Sequence, residues 1–154
     1  MDDSRSSILP HATKLCEFID MIKYNKYGYL DFGIHQMTAD EFIYTFCDQG
    51  NRGKYKSAVT NIFDFAKEKG AKRIILGGSF LSTKENPNDL DCMIVFYQDI
   101  SIPSFVDCAQ MDNIEYDILY ASEQTPQLVD SYIKLIATNN YGIEDKGVVE
   151  VRLD

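Results

Sequence analysis

The stretch from Leu76 to Asp91 limits the fold of this chain more than any other. An apolar run, Arg73-Ile74-Ile75-Leu76, ends on Gly77-Gly78-Ser79, and after nine intervening residues Asp89-Leu90-Asp91 opens a second apolar run that continues to Tyr97. Both runs are short, rich in β-branched or aromatic residues and bounded by turn formers, which predicts two buried strands. Side chains two apart on a strand share a face, roughly 6.6 Å apart along the chain, so Asp89 and Asp91 converge on one small volume. Carboxylates held this close repel each other unless a cation lies between them.

The remaining pattern supplies layers to cover such a sheet. Leu15, Phe18, Ile19 and Ile22 fall on one helical face and predict a helix from about Ala12 to Tyr24. Gly28 through Gln36 interrupts the periodicity. Thr38 with Glu41 then reads as a capping box before Phe42, Ile43 and Phe46, and Val59, Ile62, Phe63 and Ala66 predict a third helix that Gly70 ends. Ile114, Tyr116, Ile118 and Tyr120 alternate with Asn113, Glu115, Asp117 and Leu119, giving a strand with one polar face. Thr125-Pro126 starts a helix carrying Leu128, Val129, Tyr132, Leu135 and Ile136, and Val148 to Leu153 predicts a closing strand. The expected fold class is α+β (mixed α/β), a small mixed sheet of three to five strands flanked by helices. No internal repeat or long linker is read, so residues 1–154 are expected to form one domain, with an N-terminal helical extension over about 1–27.

Composition narrows the partners. With 45% hydrophobic and 12% aromatic residues in 154, one real core can be buried. The apolar stretches are too short to span a membrane and Met1-Asp2-Asp3-Ser4-Arg5 does not resemble a signal peptide, so a cytoplasmic protein without a membrane partner is expected. Cys16, Cys47, Cys92 and Cys108 lie far apart, arguing against a zinc site or a disulfide framework. A formal charge of −9 repels polyanions, which argues against broad DNA binding and requires a metal or a local basic cluster for any polyphosphate ligand.

Magnesium suits the acidic pair, because it takes oxygen ligands and combines one or two protein carboxylates with waters and substrate phosphates. Manganese is expected to serve in its place. Asp117, on the polar face of its strand, is the natural third carboxylate, with Glu115 on the same face as the alternative. Gly77-Gly78-Ser79 allows close backbone approach to phosphate oxygens, and without a following Lys-Ser or Lys-Thr it is not a Walker A loop. Lys84, between the glycines and the aspartates, is the best-placed cation for a nucleotide. Arg52, Lys54 and Lys56 form the densest basic cluster and read mainly as a solvated helix start, His35 as a hydrogen-bonding structural residue, and Asp31-Phe32-Gly33 as a turn.

These residues resemble the polymerase-beta-like nucleotidyltransferase superfamily, marked by a Gly-Ser turn, an acidic-hydrophobic-acidic triplet nine to thirteen residues later and an acid on a later strand. The match covers Leu76 to Tyr120. Gly33-Ile34-His35, Thr38-x-x-Glu41-Phe42 and Lys146-Gly147-Val148-Val149 are further similar to an uncharacterised family of short bacterial nucleotidyltransferase-like proteins. The resemblance implies the minimal nucleotidyltransferase fold, with Asp89 and Asp91 as metal ligands, Asp117 as the carboxylate that helps activate an acceptor hydroxyl, and Gly78-Ser79 as the triphosphate contact. It implies transfer from a nucleoside triphosphate to a hydroxyl on a protein, RNA end or small molecule, with two magnesium ions assisting. Thr83 stands where many members have glycine. Many members also carry an added helical domain, so the alternatives are a homodimer that completes the site or a catalytically silent antitoxin-like, regulatory or phage-defence module.

Overall fold

A computed structural model describes residues 15–103, 107–111 and 114–153, with 107–111 described by backbone alone. Ala12, Asn113 and the Met1–Arg5 stretch lie outside these residues. Residues 15–21 form a first helix, α1. β1 (Gly33–Met37), α2 (Ala39–Cys47), a 3-10 helix (Gly50–Tyr55) and α3 (Lys56–Glu68) follow, then β2 (Arg73–Gly77) and β3 (Asp89–Phe96). β4 (Asp107–Met111), β5 (Ile114–Ser122), α4 (Pro126–Ala137) and β6 (Gly147–Arg152) complete the order. The expected mixed α+β class is observed.

The strands form one mixed sheet in the order β1-β6-β2-β3-β5-β4. β1 and β6 are parallel, as are β3 and β5, whereas β6–β2, β2–β3 and β5–β4 are antiparallel. The first five strands in this order match the upper end of the expected three to five, and the short edge strand β4 extends the sheet by one. β1 was expected only as an interruption: Gly33–Met37 is too short and mixed to show a period, and pairing with β6, more than a hundred residues away, makes it a strand.

Alternation along the strands divides the core in two. Even-numbered residues of β3 (Leu90, Cys92, Ile94, Phe96) face α2 and α3, packing with Phe42, Phe46, Val59 and Phe63. Odd-numbered Met93 and Val95 face α4 with Ile75, Ala121, Val129, Tyr132 and Ile136. Asp89 and Asp91 belong to the odd set, so they lie on the α4 face at the start of β3. The Thr38 capping box forms as expected, with Glu41 N–H donating to Thr38 Oγ1 at 3.0 Å and Thr38 N–H to Glu41 Oε1 at 2.8 Å.

Candidate active site

β3 and β5 run side by side with Asp91 opposite Asp117 and Asp89 opposite Glu115. Parallel neighbours in register lie about 4.8 Å apart and carry their side chains to the same face, so four acids share the end of the α4 face. Three of them are partly buried and Glu115 is exposed. Burial, then the charges of Asp89 and Asp117, push the Asp91 carboxyl up to about 6, and Asp89 also hydrogen-bonds to it. The acids that act on Asp91 are thus Asp89 and Asp117.

The turn before β3 fixes Asp89. Gly78 has φ +94°, and a Cβ there would lie 2.9 Å from the Asp89 carbonyl and 3.2 Å from the Asp91 nitrogen, so this close approach requires glycine. Ser79 donates to Asp89 Oδ1 from both its N–H, at 3.0 Å, and its hydroxyl, at 2.7 Å. Its Oγ in turn accepts from Asn88 N–H at 2.8 Å and Asp89 N–H at 3.1 Å. The Gly-Ser turn therefore orients a carboxylate, and both Ser79 donors expected for phosphate are engaged with Asp89. Gly77 pairs with Asp91 across β2–β3 and packs under Ile136 of α4.

Two residues that sequence reasoning did not select belong to this site. Tyr132, only 6% exposed on α4, has a hydroxyl without a hydrogen-bond partner among the described residues. Burial, then the charges of Asp91, Cys92, Asp117 and Asp89, push its phenol above its usual range, and its ring packs with Met93 and Ala121 on the face that carries the acids. Lys146 is the cation whose charge opposes the rise at Asp91. It immediately precedes β6, and its Nζ lies 4.9 Å over the Tyr29 ring. The period of α4 marked Tyr132 as core, and only the sheet register reveals what its far end meets.

The predicted cations fall elsewhere. Lys84 is exposed beside a cleft of about 350 Å³ that it lines with Ile19, Tyr24, Gln49 and Glu85. Arg52 is 6% exposed and is not part of a solvated cluster. Its guanidinium donates to the carbonyls of Phe80 (2.7 Å), Ser82 (2.8 Å) and Lys84 (2.6 and 3.2 Å), with a longer bond to Phe46 at 3.4 Å. It fastens the segment that follows Ser79. Lys56 pairs with Asp48 at 3.2 Å, and His35 Nε2 bonds to the Asp31 carbonyl at 2.7 Å, a structural role as expected.

Among the described residues, no group of three or more His, Cys, Asp or Glu is placed so that it could hold a metal ion. The donor chemistry still fits a hard divalent cation, since the set is all oxygen and Asp91 stands opposite Asp117 on the face it shares with Asp89. Asp89 and Asp91 are the pair that would hold it, with Asp117 alongside.

The model of a protein family of unknown function matches residues 22–152. Comparisons with curated proteins and with solved structures return no match. Among the described residues, no helix is long and apolar enough to cross a membrane.

Proposed function

Because the chain belongs to the DUF6932 family, whose function is unknown, we propose its activity from its own site: metal-dependent transfer of a nucleotidyl group from a nucleoside triphosphate to a hydroxyl acceptor on a protein, RNA end or small molecule. The observation that carries this reading is Asp91, flanked by Asp89 and Asp117 and held at about 6 by burial and their charges. Such a cluster costs stability without a ligand, and cost of this kind concentrates at functional sites.

Magnesium or manganese, when bound between Asp89 and Asp91, would neutralise charge on the reacting phosphate oxygens. The residues account for the other steps. Ser79 holds Asp89 in one orientation, and Lys146 supplies positive charge to the polyphosphate. The acceptor oxygen attacks the α-phosphorus, the bond to the bridging oxygen of the β-phosphate breaks, and pyrophosphate leaves. The hydroxyl proton passes to a carboxylate of the cluster, the role given to Asp117. The Tyr132 hydroxyl, buried and without a partner among the described residues, is available to donate to a bound oxygen.

Titration calorimetry with magnesium and each triphosphate tests this reading. Wild type should bind a triphosphate only with the metal, and Asp89→Ala/Asp91→Ala should abolish binding. Absence of binding to wild type, or equal binding by the double variant, would sink the proposal. The full engagement of Ser79 by Asp89 favours a second reading, a silent module of the same fold acting as an antitoxin-like, regulatory or defence partner. Metal-dependent transfer of labelled nucleotide to a defined acceptor excludes that alternative.

A further inference from the structure

Two turns more than a hundred residues apart are built alike. Asn25-Lys26-Tyr27-Gly28-Tyr29 and Asn139-Asn140-Tyr141-Gly142-Ile143 share the pattern Asn-x-Tyr-Gly. In each, the asparagine N–H donates to the carbonyl four residues on at 2.7 Å, and the glycine N–H returns to the asparagine carbonyl at 3.0 and 3.1 Å. The asparagine Oδ1 accepts from the N–H groups two and four residues on, at 2.9 and 3.1 Å in the first turn and 2.8 and 3.1 Å in the second. The glycines adopt φ of +86° and +79°. Both turns are also fastened to one residue. Asn25 Nδ2 donates to the Asp145 carbonyl at 3.1 Å, and Asn139 Nδ2 donates to Asp145 Oδ2 at 3.0 Å.

These turns present aromatic rings to one cleft. It measures about 260 Å³, and Tyr27, Tyr29, Tyr141 and Ile143 line it together with Asp145 and Lys146. Tyr27 and Tyr141 are 66% and 89% exposed, so packing within the chain does not explain them. Rings held on preformed backbone lose little freedom when they stack on a planar ligand. Lys146 lines this cleft and immediately precedes β6, whose Val149 pairs with Leu76 beside Gly77, the partner of Asp91, so the cleft opens at the carboxylate end of the sheet.

We propose that the twin turns are an aromatic clamp for a nucleobase, that of the donor nucleoside triphosphate, with Lys146 meeting the phosphates between clamp and carboxylates. This rests on the nucleotidyl-transfer reading and adds its base site. The volume lies just below that of whole-ligand pockets, which begin near about 300 Å³, and suits one base with its phosphates extending outward. Stacking on tyrosine uses the π-face that every base possesses; Asp145 balances Lys146 within the cleft, so the base is held by the rings and, among the described residues, Lys146 is the one lining cation available to a phosphate. An RNA end offers the same base chemistry, so the experiment must separate the two sources.

The test compares wild type with Tyr27→Ala, Tyr141→Ala and Tyr141→Phe in titrations, with magnesium, of the four nucleoside triphosphates, inorganic triphosphate and a short single-stranded RNA. Both tyrosines are exposed, so the variants should fold. Each alanine variant should bind nucleoside triphosphate about tenfold more weakly, the scale of one base stacked on one ring. Tyr141→Phe should bind as wild type does, and inorganic triphosphate should bind all four proteins equally. Nucleotides that bind wild type no tighter than inorganic triphosphate, or that bind the alanine variants unchanged, would overturn the clamp and leave the carboxylate site standing. Failure of every triphosphate to bind wild type would overturn both readings. Loss of RNA binding alone in the alanine variants would overturn the donor assignment in favour of the acceptor.

Discussion

At the scale of single residues, Asp91 shows why the acidic set is better explained by function than by folding. Its carboxyl titrates near 6 in the folded chain against 3.8 unfolded, so between those values the folded state binds the extra proton. The contribution of Asp91 to stability should therefore be fully present below about pH 4 and be lost as pH rises through about 6, opposite in sign to that of Glu123, whose lowered carboxyl costs stability as pH falls. Asp91→Asn removes the charge, and above pH 6 it should be more stable than wild type by on the order of 1–2 kcal/mol, discounted because Asp91 is only partly buried. Urea denaturation at pH 4 and pH 8 checks this, with the advantage of the variant confined to the higher pH. Magnesium should then raise the midpoint of wild type and leave that of Asp91→Asn unchanged, because only a state that binds ligand is stabilised by it. A variant less stable than wild type at pH 8 would mean that the Asp91 charge is already compensated within the fold.

At the scale of elements, the segment between β2 and β3 is held from the side opposite the carboxylates. Phe80 sits in the aromatic cluster, 5.6 Å from the Tyr55 ring and 6.3 Å from that of Phe42, and the Arg52 guanidinium lies 5.1 Å over its ring while bonding to the carbonyls around it. Lysine lacks the planar fork that reaches several carbonyls at once, so Arg52→Lys should leave buried acceptors unmatched and cost about 3 kcal/mol. Denaturation measures that cost, and faster hydrogen exchange at the Asn88 and Asp89 amides, which donate to Ser79, would show that the segment had loosened. This element also marks where sequence reading succeeds and where it stops. The Thr38–Glu41 box, the strand starting at Asp89 and the start of α4 at Thr125-Pro126 depend on residues within a turn of one another, and each was legible. Arg52 was read as solvated because its acceptors lie as far as 32 positions away. Tyr132 and Lys146 were missed for the same reason, since their nearness to Asp91 exists only after β3, β5 and β6 assemble. The Asn-x-Tyr-Gly repeat was visible as letters, but only the matched hydrogen bonds distinguish it from coincidence.

At the scale of the whole molecule, the α4 face of the sheet carries a polar cluster at each end, and the two differ in charge balance. At the end of β3 away from Asp91, Arg73 pairs with Glu123 through two bonds of 2.9 and 3.0 Å and with Glu150 at 2.8 Å. Gln36 donates to the other Glu150 oxygen at 3.0 Å, and Lys72 reaches Glu123 at 3.5 Å, so two acids meet two cations. These bonds join β1, β6, β2 and the end of β5 across the sheet. At the opposite end, Asp89, Asp91, Asp117 and Glu115 lie together, and Lys146 is the cation that acts on Asp91. If the first cluster is structural and the second functional, substitutions at the two ends should have opposite effects. Arg73→Met should leave the buried Glu150, 5% exposed, without its cation and cost about 3 kcal/mol, since breaking a buried pair costs more than the pair contributes. The fraction that remains folded should bind magnesium and triphosphate with unchanged affinity, because Arg73 pairs with Val95 at the far end of β2–β3 from Gly77 and Asp91. Asp91→Asn should do the reverse, gaining stability and losing the ligand. Measuring denaturation midpoint and nucleotide affinity for both variants checks the division. Loss of affinity in Arg73→Met at temperatures where it is fully folded would show that the two ends are coupled through the sheet.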